Sequence, residues 1–480
     1  MVFNSFQFLL FFPAVVAIYF LLPHCWRWVF LLLASGYFYM AFIPKYIFVL
    51  GFLIVIDYWA GILIERAQAR KRFFLTISIL ANAGMLFVFK YFNFFNSNLD
   101  HLARFLHWNY PIGYLALALP LGLSFHTFQS LSYVIEVYRG RQKAERNFGI
   151  YALYVMFFPQ LVAGPIERPQ NLLHQFYERH IFLPDRVVLG LRLMLWGFFK
   201  KIVVADNIAG LVNLVYAAPP HFSAPAILLA IFLFTIQLYA DFSGYSDIAR
   251  GSALVLGYRL MENFNRPYFA KSIAEFWRRW HISLSSWLRD YIYYPLVFKT
   301  RNQPVRGMYF ALLFTFLISG VWHGAGWTFL IMGFLFGFYI VFGLVTKSWR
   351  ASILESIKIA RWQNLHGAIQ ACFTFLLVSF AWIFFRASSL QNAYDIIRGT
   401  FLNFRFSYAE FSSLNKLQIL FGFIGISVLF LVELTSKDAE VWGRLHSVGS
   451  LMRWGIYSGL ALAILLLGYF RGQTFIYFQF

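Results

Sequence analysis

Charged residues are scarce in this sequence. Only 12% of its 480 residues are Asp, Glu, Lys or Arg, whereas 60% are hydrophobic and 21% are aromatic. A soluble domain contains about 25% charged residues, so the composition excludes a soluble protein and predicts an integral membrane protein. Acidic residues are the scarcer kind, 20 against 40 Lys and Arg, and the formal net charge is +20.

The excess positive charge is scattered in short clusters between apolar runs, which indicates membrane topology signals and not a nucleic-acid interface. The clusters lie at 66–72, 139–146, 278–306 and 347–361. An even number of predicted passes separates each cluster from the next. All four can therefore face the cytoplasm together, which places both termini on the outer side.

Cysteine is also scarce, and the N-terminal stretch lacks the features of a cleavable signal peptide. Cys25 and Cys372 lie far apart in apolar contexts. We therefore expect no disulfide framework and no zinc site, and we interpret both as buried small hydrophobic residues. The stretch 3–23 lacks a basic n-region and a small-residue cleavage site, so it is predicted to be the first transmembrane helix.

Long apolar runs dominate what remains, and about 11 to 14 of them are long enough to cross or enter a membrane. The sequence therefore predicts one all-α membrane domain over 1–480, without internal repeats. Regular runs lie at 26–43, 46–64, 73–92, 187–204, 224–240, 326–345, 366–385, 417–434 and 451–470, and less regular runs at 110–136, 148–165, 242–257 and 308–322. Because irregular backbone in a membrane needs protein or water to satisfy its polar groups, we expect the less regular runs to line a cavity.

Ionisable groups inside such a chain indicate functional positions, because they are costly to place in a membrane. The first polar stretch is QLYADFSGYSD at 237–247, in which Asp241 and Asp247 follow an apolar helix. Two interpretations stay open for it: aspartates that cap a turn, or aspartates that help to shape a site.

The second polar stretch, 262–295, is rich in Trp and Arg. Trp280, Leu284, Trp287 and Tyr291 follow one another at spacings of four, three and four, which predicts one amphipathic helix, at 276–291, at the cytoplasmic interface. An interfacial anchor is one interpretation. The alternative is a mouth that binds an anionic donor such as a nucleotide-bearing thioester, because Arg matches phosphate geometry.

The third polar stretch, ISGVWHGAGW at 318–327, lies inside an apolar run almost long enough for two passes. His323 should therefore lie at a glycine-rich break, deep in the membrane or towards its outer side. Gly320, Gly324 and Gly326 remove bulk around the imidazole, which favours the approach of a substrate. A histidine that only donates a hydrogen bond between packed helices is the alternative.

Rival chemistries lack their motifs. His323 has no H-E-x-x-H or facial-triad companion, so no metal ligand is expected. The chain has no G-x-S-x-G elbow and no phosphate-binding P-loop. A transporter is the alternative by class, because broken helices and buried charge also describe transporters, but the two similar halves it predicts are not visible.

Several segments resemble the membrane-bound O-acyltransferase family: NFNRPY at 263–268, FWRRWHISLSSWLRDYIYYPL at 276–296 and GVWHGAGWTF at 320–329. They are most similar to the bacterial branch typified by the membrane subunit of alginate O-acetylation. Supporting matches lie at 120–140, 157–169, 197–209 and 239–249, and in the last six residues, FIYFQF. The resemblance covers essentially the whole chain, with a signature core at about 110–345.

The resemblance implies a fold and a set of site residues. The family fold is a bundle of tilted helices around a central tunnel or funnel, where a cytoplasmic acyl donor meets an acceptor from the other face. The second histidine of the family corresponds to His323, the catalytic one, and the first to His281, on the donor side. Residues implied to bind the donor or support the site are Arg278, Arg279, Asp290, Trp322, Asn265 and Asp241.

The implied reaction is acyl transfer from a thioester, acetyl-CoA as co-substrate, to a hydroxyl, with no permanently bound cofactor. An imidazole of ordinary pKa is suited to take the hydroxyl proton, so His323 is the expected general base. His281 would orient the thioester or polarise its carbonyl, and Arg278 and Arg279 would face the donor phosphates. An acyl-histidine intermediate stays a variant of this mechanism.

The implied setting is the inner membrane of a bacterial cell, with both termini periplasmic. Expected partners are membrane lipid, the acyl donor, periplasmic acetyltransferase proteins and an exported polysaccharide, but no nucleic acid. Alginate is the first expectation for the acceptor. The alternatives are O-acetylation of cellulose or peptidoglycan, and D-alanylation of teichoic acid.

Overall fold

The structure, a computed structural model, describes residues 1–120, 122–356, 362–404, 408–412, 414–435, 449–470 and 475–478. Within these ranges the regular structure is helical and contains no strand, which confirms the predicted all-α class. Part of the last basic cluster, 357–361, and the end of the FIYFQF motif, 479–480, lie outside the described residues.

The helices are, in chain order, α1 (Phe6–Leu21), α2 (His24–Met40), α3 (Ile47–Arg66), α4 (Lys71–Leu86), α5 (Phe92–Phe105), α6 (Leu123–Tyr138), α7 (Phe148–Met156), α8 (Phe158–Leu161), α9 (Pro169–Leu172), α10 (Pro184–Phe198), α11 (Asp206–Ala217), α12 (Ala224–Leu256), α13 (Ile273–Arg279), α14 (Ile282–Leu288), α15 (Tyr294–Lys299), α16 (Pro304–His323), α17 (Trp327–Val345), α18 (Lys347–Ser356), α19 (Gln363–Arg386), α20 (Leu390–Gly399), α21 (Lys416–Thr435) and α22 (Ser450–Leu467). π-Helical turns at Phe87–Tyr91, Phe199–Ala205 and Arg289–Tyr293 join α4 to α5, α10 to α11 and α14 to α15.

Eight helical segments among the described residues are long and apolar enough to cross a membrane. They are Pro44–Arg66, Lys71–Phe105, Ala224–Leu256, Pro304–His323, Trp327–Val345, Gln363–Arg386, Lys416–Thr435 and Ser450–Leu467. α1 is apolar but shorter, at 16 residues. The predicted polytopic membrane protein is confirmed, whereas the central tunnel stays a prediction.

Two of the four runs expected to be irregular are regular helix. Residues 242–257 lie almost entirely within α12 and 308–322 lie within α16. Glycine costs a helix only about 1 kcal/mol, and here the glycines of α12 let neighbouring backbone approach: a Cβ at Gly251 would lie 2.5 Å from the carbonyl oxygen of Gly190. The prediction was correct for 110–136 and 148–165, which contain residues without regular structure and the short helices α7 and α8.

The chain divides into two compact units, and the first comprises residues 1–194 and 245–261. At its centre the ring of Phe3 packs against those of Phe8, Phe38 and Tyr245. Asp57 of α3 is fully buried and accepts hydrogen bonds from Ser78 and Asn82 of α4, so this intramembrane carboxyl group is satisfied by the protein. The single family domain over 1–480 stays a prediction.

The second unit comprises residues 195–244 and 262–480. In it α16 packs closely on α17 because two glycines face each other: a Cβ at Gly320 would lie 2.3 Å from the carbonyl oxygen of Phe329 and 3.2 Å from the Cα of Gly333. α17 also packs on α19, and α21 and α22 pack on the π-helical turn before α11.

Both cysteines are exposed, so the prediction that they are buried was wrong. Cys25 lies in the first turn of α2 and Cys372 in α19. Lipid tails are as apolar as leucine, so an apolar neighbourhood in a membrane helix does not distinguish residues that face lipid from residues that face protein.

Candidate active site

The Trp- and Arg-rich segment is two helices, so the prediction of one helix through 276–291 was wrong. α13 ends at Arg279, Trp280 is extended, and His281 adopts left-handed angles of φ 42° and ψ 54° before α14 begins. The cause is the strand-like segment at 263–265. The N–H of Asn265 donates to the carbonyl of Arg279, and the N–H of Ile282 donates to the carbonyl of Asn263. These bonds use backbone groups that a continuous helix would have paired internally.

The apolar stripe of this segment faces the protein. Trp280 and Leu284 are fully buried and Trp287 is 5% exposed. An interfacial anchor would bury such a stripe among lipid headgroups and acyl chains. The burial of the three side chains therefore weakens the anchor interpretation for this face.

The imidazole of His281 is held by Asn263. The Oδ1 atom of Asn263 lies 3.2 Å from the N–H of Ser283, 2.9 Å from its hydroxyl and 3.0 Å from Nδ1 of His281. Because a backbone N–H can only donate, the Asn263 atom must be the amide oxygen, and Nδ1 of His281 must carry a proton. In the neutral ring the lone pair is then on Nε2.

The charge state of His281 follows from its surroundings. The side chain is fully buried. Burial, and secondarily the neighbouring His323, lowers the pKa of His281 well below its ordinary value of 6.5. The ring is therefore neutral at physiological pH, a state suited to accepting a proton or a hydrogen bond at Nε2.

His323 is the last residue of α16, at the predicted break before α17. Its Nδ1 lies 2.6 Å from the carbonyl oxygen of Ser319, one turn earlier. Since a carbonyl can only accept, Nδ1 is the protonated nitrogen, and the neutral ring has its lone pair on Nε2. The helix itself thus selects the tautomer that a general base requires.

The glycines around His323 have a different role from the predicted one. A Cβ at Gly324 would lie 2.1 Å from the ring of Phe329, and the space at Gly320 is filled by the backbone of α17. Both glycines therefore serve helix packing, and the expectation that they leave room for a substrate was wrong. Gly326 has only ordinary contacts with its neighbours.

The two histidines share their aromatic neighbours. The ring centroid of Trp322 lies 5.8 Å from that of His281 and 4.9 Å from that of His323. The ring of Tyr477 lies 6.4 Å from His281 and 5.9 Å from His323. Phe242 contacts His281 at 4.7 Å and Tyr477 at 4.4 Å. The structure thus brings His281, His323 and Trp322 together.

Tyr477 comes from the C-terminal segment 475–478. Its hydroxyl is buried and has no hydrogen-bond partner among the described residues. A buried hydroxyl without a partner costs about 1–3 kcal/mol. We therefore interpret this hydroxyl, beside two imidazoles, as a group available to a substrate.

Asp241 holds that segment in place. It lies inside α12, 1% exposed, and not in a turn. One carboxylate oxygen lies 2.7 Å from the ammonium group of Lys201, which also lies 2.9 Å from Asp206. The other oxygen accepts the N–H of Ile476 at 2.8 Å. Asp241 therefore anchors the residue next to Tyr477 and does not contact the donor cavity described below.

A cavity of about 570 Å³ lies along α13 and α14. Arg278 and Arg289 line it with the hydroxyl groups of Ser285 and Ser286 and the apolar side chains of Leu312 and Phe316 from α16. Ile282, the residue after His281, is also part of its wall. An elongated molecule with an anionic end matches this mixture of guanidinium, hydroxyl and apolar groups.

The remaining predicted residues lie outside this cavity wall. Arg279 forms an ion pair with Glu275 at 2.6 Å. Asp290 forms an ion pair with Arg289 at 3.1 Å. Asn265 contributes its backbone N–H to the break between the helices. Their roles in donor binding or support stay predictions.

Sequence reasoning missed Asn263, Tyr477, Arg289 and Lys201 as members of the site. Asn263 begins the NFNRPY motif and Arg289 lies in the motif at 276–296. Both therefore belong to segments that carry the family resemblance. Tyr477 lies in the FIYFQF motif, which supported the resemblance but was given no role. Their contacts involve residues up to 235 positions apart, which no local pattern reveals.

These features can support group transfer: two imidazoles with fixed tautomers, of which His281 is neutral, a buried phenol beside them, and a cationic cavity whose wall continues from His281. A model of the MBOAT, membrane-bound O-acyltransferase family, matches residues 145–390, which is more than half of the chain. The chain belongs to this family. It is a multi-pass membrane O-acyltransferase.

Several relatives of this acyltransferase are polymer-modifying proteins. The probable alginate O-acetylase of Azotobacter vinelandii is 38% identical over 87% of this chain and 81% of its own length. The peptidoglycan O-acetyltransferase of Helicobacter pylori is 35% identical over 79% of this chain and 74% of its own length. The teichoic acid D-alanyltransferase of Bacillus subtilis is 28% identical over 57% and 69%.

Proposed function

We propose that this acyltransferase moves an acetyl group from cytoplasmic acetyl-CoA to a hydroxyl of an exported polysaccharide, with alginate as the acceptor. The single observation that carries the mechanism is that Nδ1 of His323 donates its proton to the Ser319 carbonyl, next to the rings of Trp322 and Tyr477 that His323 shares with His281. The alginate O-acetylase relatives support the choice of polymer. Peptidoglycan is the second candidate acceptor, supported by the relative from Helicobacter pylori.

In the proposed reaction, Nε2 of His323 takes the proton of the attacking hydroxyl as its oxygen bonds to the thioester carbonyl carbon. The carbon–sulfur bond then breaks. The thiolate leaves with the proton that His323 had taken, so the products are an ester and a free thiol. General-base catalysis of this kind contributes about 10²- to 10⁴-fold to a rate.

The neighbours of His323 have separate proposed roles. The Tyr477 hydroxyl donates a hydrogen bond to the oxygen that becomes negative when the carbonyl is attacked. His281 is aligned by Asn263 and orients the thioester. Arg278 and Arg289 bind the phosphates of the donor in the 570 Å³ cavity.

We further propose that the protein lies in the bacterial inner membrane with both termini in the periplasm. Positive clusters then face the cytoplasm, as the positive-inside rule requires. In this arrangement the polysaccharide and the proposed partner proteins are periplasmic.

The test of the reaction is His323→Ala with His101→Ala as the matched control, because His101 is exposed on α5 and distant in sequence from the site. We expect the acetyl content of the polymer to fall by about 10²- to 10⁴-fold for His323→Ala and to stay unchanged for the control. Membrane abundance should equal wild type in both. Substantial acetylation by the His323 variant would exclude it as the base.

The acceptor is tested separately. Cells that express the protein are analysed for ester-linked acetyl groups in alginate and in peptidoglycan. Acetyl groups that depend on His323 should appear in alginate. Their appearance in peptidoglycan alone would replace the proposed acceptor and leave the reaction unchanged.

A further inference from the structure

A second cavity in the same unit lies away from the histidines. It has a volume of about 510 Å³ and lies between the N-terminal end of α13, the C-terminal end of α17 and residues 370–377 of α19. It shares only Ala274 and Ile340 with the wall of the donor cavity. The proposed reaction uses none of its charged groups.

Three cations line this second cavity: Lys271, Lys347 and Arg350. Among the described residues that form its wall there is no Asp or Glu. The nearby carboxylate of Glu275 pairs with Arg279 and accepts the backbone N–H of Lys271. The cavity is therefore strongly positive and matches an anionic ligand.

Arg350 is held in a fixed position at the rim. Its guanidinium group donates to the carbonyl of Gly343 at 2.6 Å and to the hydroxyl of Thr346 at 3.2 Å. It thus caps the last turn of α17, where a positive charge is favoured. Lys271 and Lys347 are the other two cations of the cavity wall.

Apart from Ser272, Gln370 and Thr374, the rest of the wall is apolar, and three of its side chains face outward. Phe342 is 50% exposed, Leu344 41% and Phe373 62%. All three belong to helices that are long and apolar enough to cross a membrane. Their exposed surfaces are therefore covered by acyl chains, not by water.

The depth of the cavity matches that of lipid headgroups. Lys347 follows the end of α17 at Val345, and the Nζ atom of Lys271 would lie 3.0 Å from a Cβ at Gly367, the fifth residue of α19. The cations therefore lie at the ends of two spans and the phenylalanines further in. This is the order of charge and hydrocarbon in a phospholipid.

We propose that this cavity binds an anionic phospholipid of the cytoplasmic leaflet, with its phosphate between Lys271, Lys347 and Arg350 and its acyl chains along Phe342 and Phe373. Basic pockets between transmembrane helices on the cytoplasmic side are suited to such headgroups. A soluble phosphate ester would leave the apolar wall without a complement. The bound lipid bridges α13, which leads to His281, with α17 and α19, and so stabilises this part of the second unit.

The experiment compares lipid dependence of thermal unfolding. Full-length protein is placed in nanodiscs of phosphatidylcholine alone, or mixed with phosphatidylglycerol or cardiolipin. We expect anionic lipid to raise the unfolding temperature of wild type. In Lys271→Gln/Lys347→Gln, which leaves the Arg350 cap intact, the rise should be lost, because each lysine accounts for roughly a fivefold preference for anionic lipid.

The matched control is Lys299→Gln/Arg306→Gln, which removes the same charge beside a different cavity of about 420 Å³. This variant should keep the full rise. Equal loss in both variants would mean general surface attraction and would overturn the proposal. An equal rise caused by inorganic phosphate or free coenzyme A in pure phosphatidylcholine would overturn it in favour of a soluble ligand.

Folding and donor binding are separated by two further readouts. Unfolding temperatures in pure phosphatidylcholine show whether the lysine variant is folded; if it is not, the single substitutions are measured instead. The apparent donor KM in phosphatidylcholine should be unchanged. A rise in this KM would place the cavity in the donor site and would contradict the lipid assignment. None of these outcomes depends on which polymer is the acceptor.

Discussion

Asn263 controls the proton on His281, and this control can be reversed by a single nearly isosteric change. Asn263→Asp keeps an oxygen in reach of Nδ1 of His281 and of both Ser283 donors, but adds a negative charge to a side chain that is 1% exposed. The imidazolium form, which burial disfavours in the wild type, then gains a counter-ion at 3.0 Å.

The size of the effect follows from two opposing contributions. At 3.0 Å and an effective dielectric constant of about 20, the attraction between carboxylate and imidazolium is about 5 kcal/mol. Burying the new charge costs several kcal/mol. Adjacent opposite charges usually shift a pKa by about 1–3 units, and we expect the pKa of His281 to rise by this amount.

The assay is the pH profile of kcat/KM for acyl transfer. If transfer requires neutral His281, the acid limb lies well below pH 6.5 in the wild type, because burial lowers that pKa. In Asn263→Asp the acid limb should move up by about 1–3 pH units. Ser283→Ala is the control, since it removes one bond to the same oxygen without adding charge. A profile of Asn263→Asp that superimposes on wild type would refute the reasoning.

The same depressed pKa determines how stability depends on pH. The folded protein keeps His281 neutral, whereas the unfolded chain binds a proton near pH 6.5, so the unfolded state binds more protons below that pH. This contribution to stability is present above pH 6.5 and is lost as the pH falls towards the folded-state pKa. Asn263→Asp should reduce that loss, which chemical denaturation at several pH values would detect.

Three further predictions concern the phenol, the cationic cavity and the topology. Tyr477→Phe should lower the rate about 10²- to 10³-fold at normal abundance, as loss of an oxyanion donor does; an acyl group found on Tyr477 by mass spectrometry would show a covalent role instead. Arg278→Gln should raise the donor KM and weaken its dependence on salt, whereas Arg279→Gln, which removes only the Glu275 ion pair, should leave the KM unchanged; equal effects would contradict the cavity assignment. With both native cysteines replaced, a cysteine at Lys143 should be labelled only from the cytoplasm and one at Ser388 only from outside, and the reverse labelling would invert the topology.

The sequence by itself determined the class of protein and the helix break at which His323, the proposed base, lies. A run of about twenty apolar residues predicts a membrane helix. In the bilayer every backbone N–H and C=O must be hydrogen-bonded within the segment, and a helix achieves this. The glycine-rich interruption HGAG in an apolar run predicted that a helix ends at His323. The structure confirms this helix end. The motifs at 263–268, 276–296 and 320–329 were enough to indicate the family.

Tertiary contacts decided which side chains surround that histidine. Periodicity predicted one helix through 276–291, but bonds from 263–265 divide it at His281. Hydropathy could not show that Cys372 faces outward, because lipid and protein interior are equally apolar. Asp241 was visible as an intramembrane charge, yet its partners Lys201 and Ile476 are distant in the chain.

The position of Tyr477 is the clearest case of what only the folded chain decides. Residues 472–480 contain no charged side chain. The placement of Tyr477 depends on a hydrogen bond from the N–H of Ile476 to the carboxylate of Asp241, which is buried with Lys201. Such bonds are favourable only after the helices that carry them have packed and excluded water, since the groups are well solvated in the separated chain. Local sequence thus predicted the helices and the position of His323. Packing determined which side chains surround His323 and support its proposed chemistry.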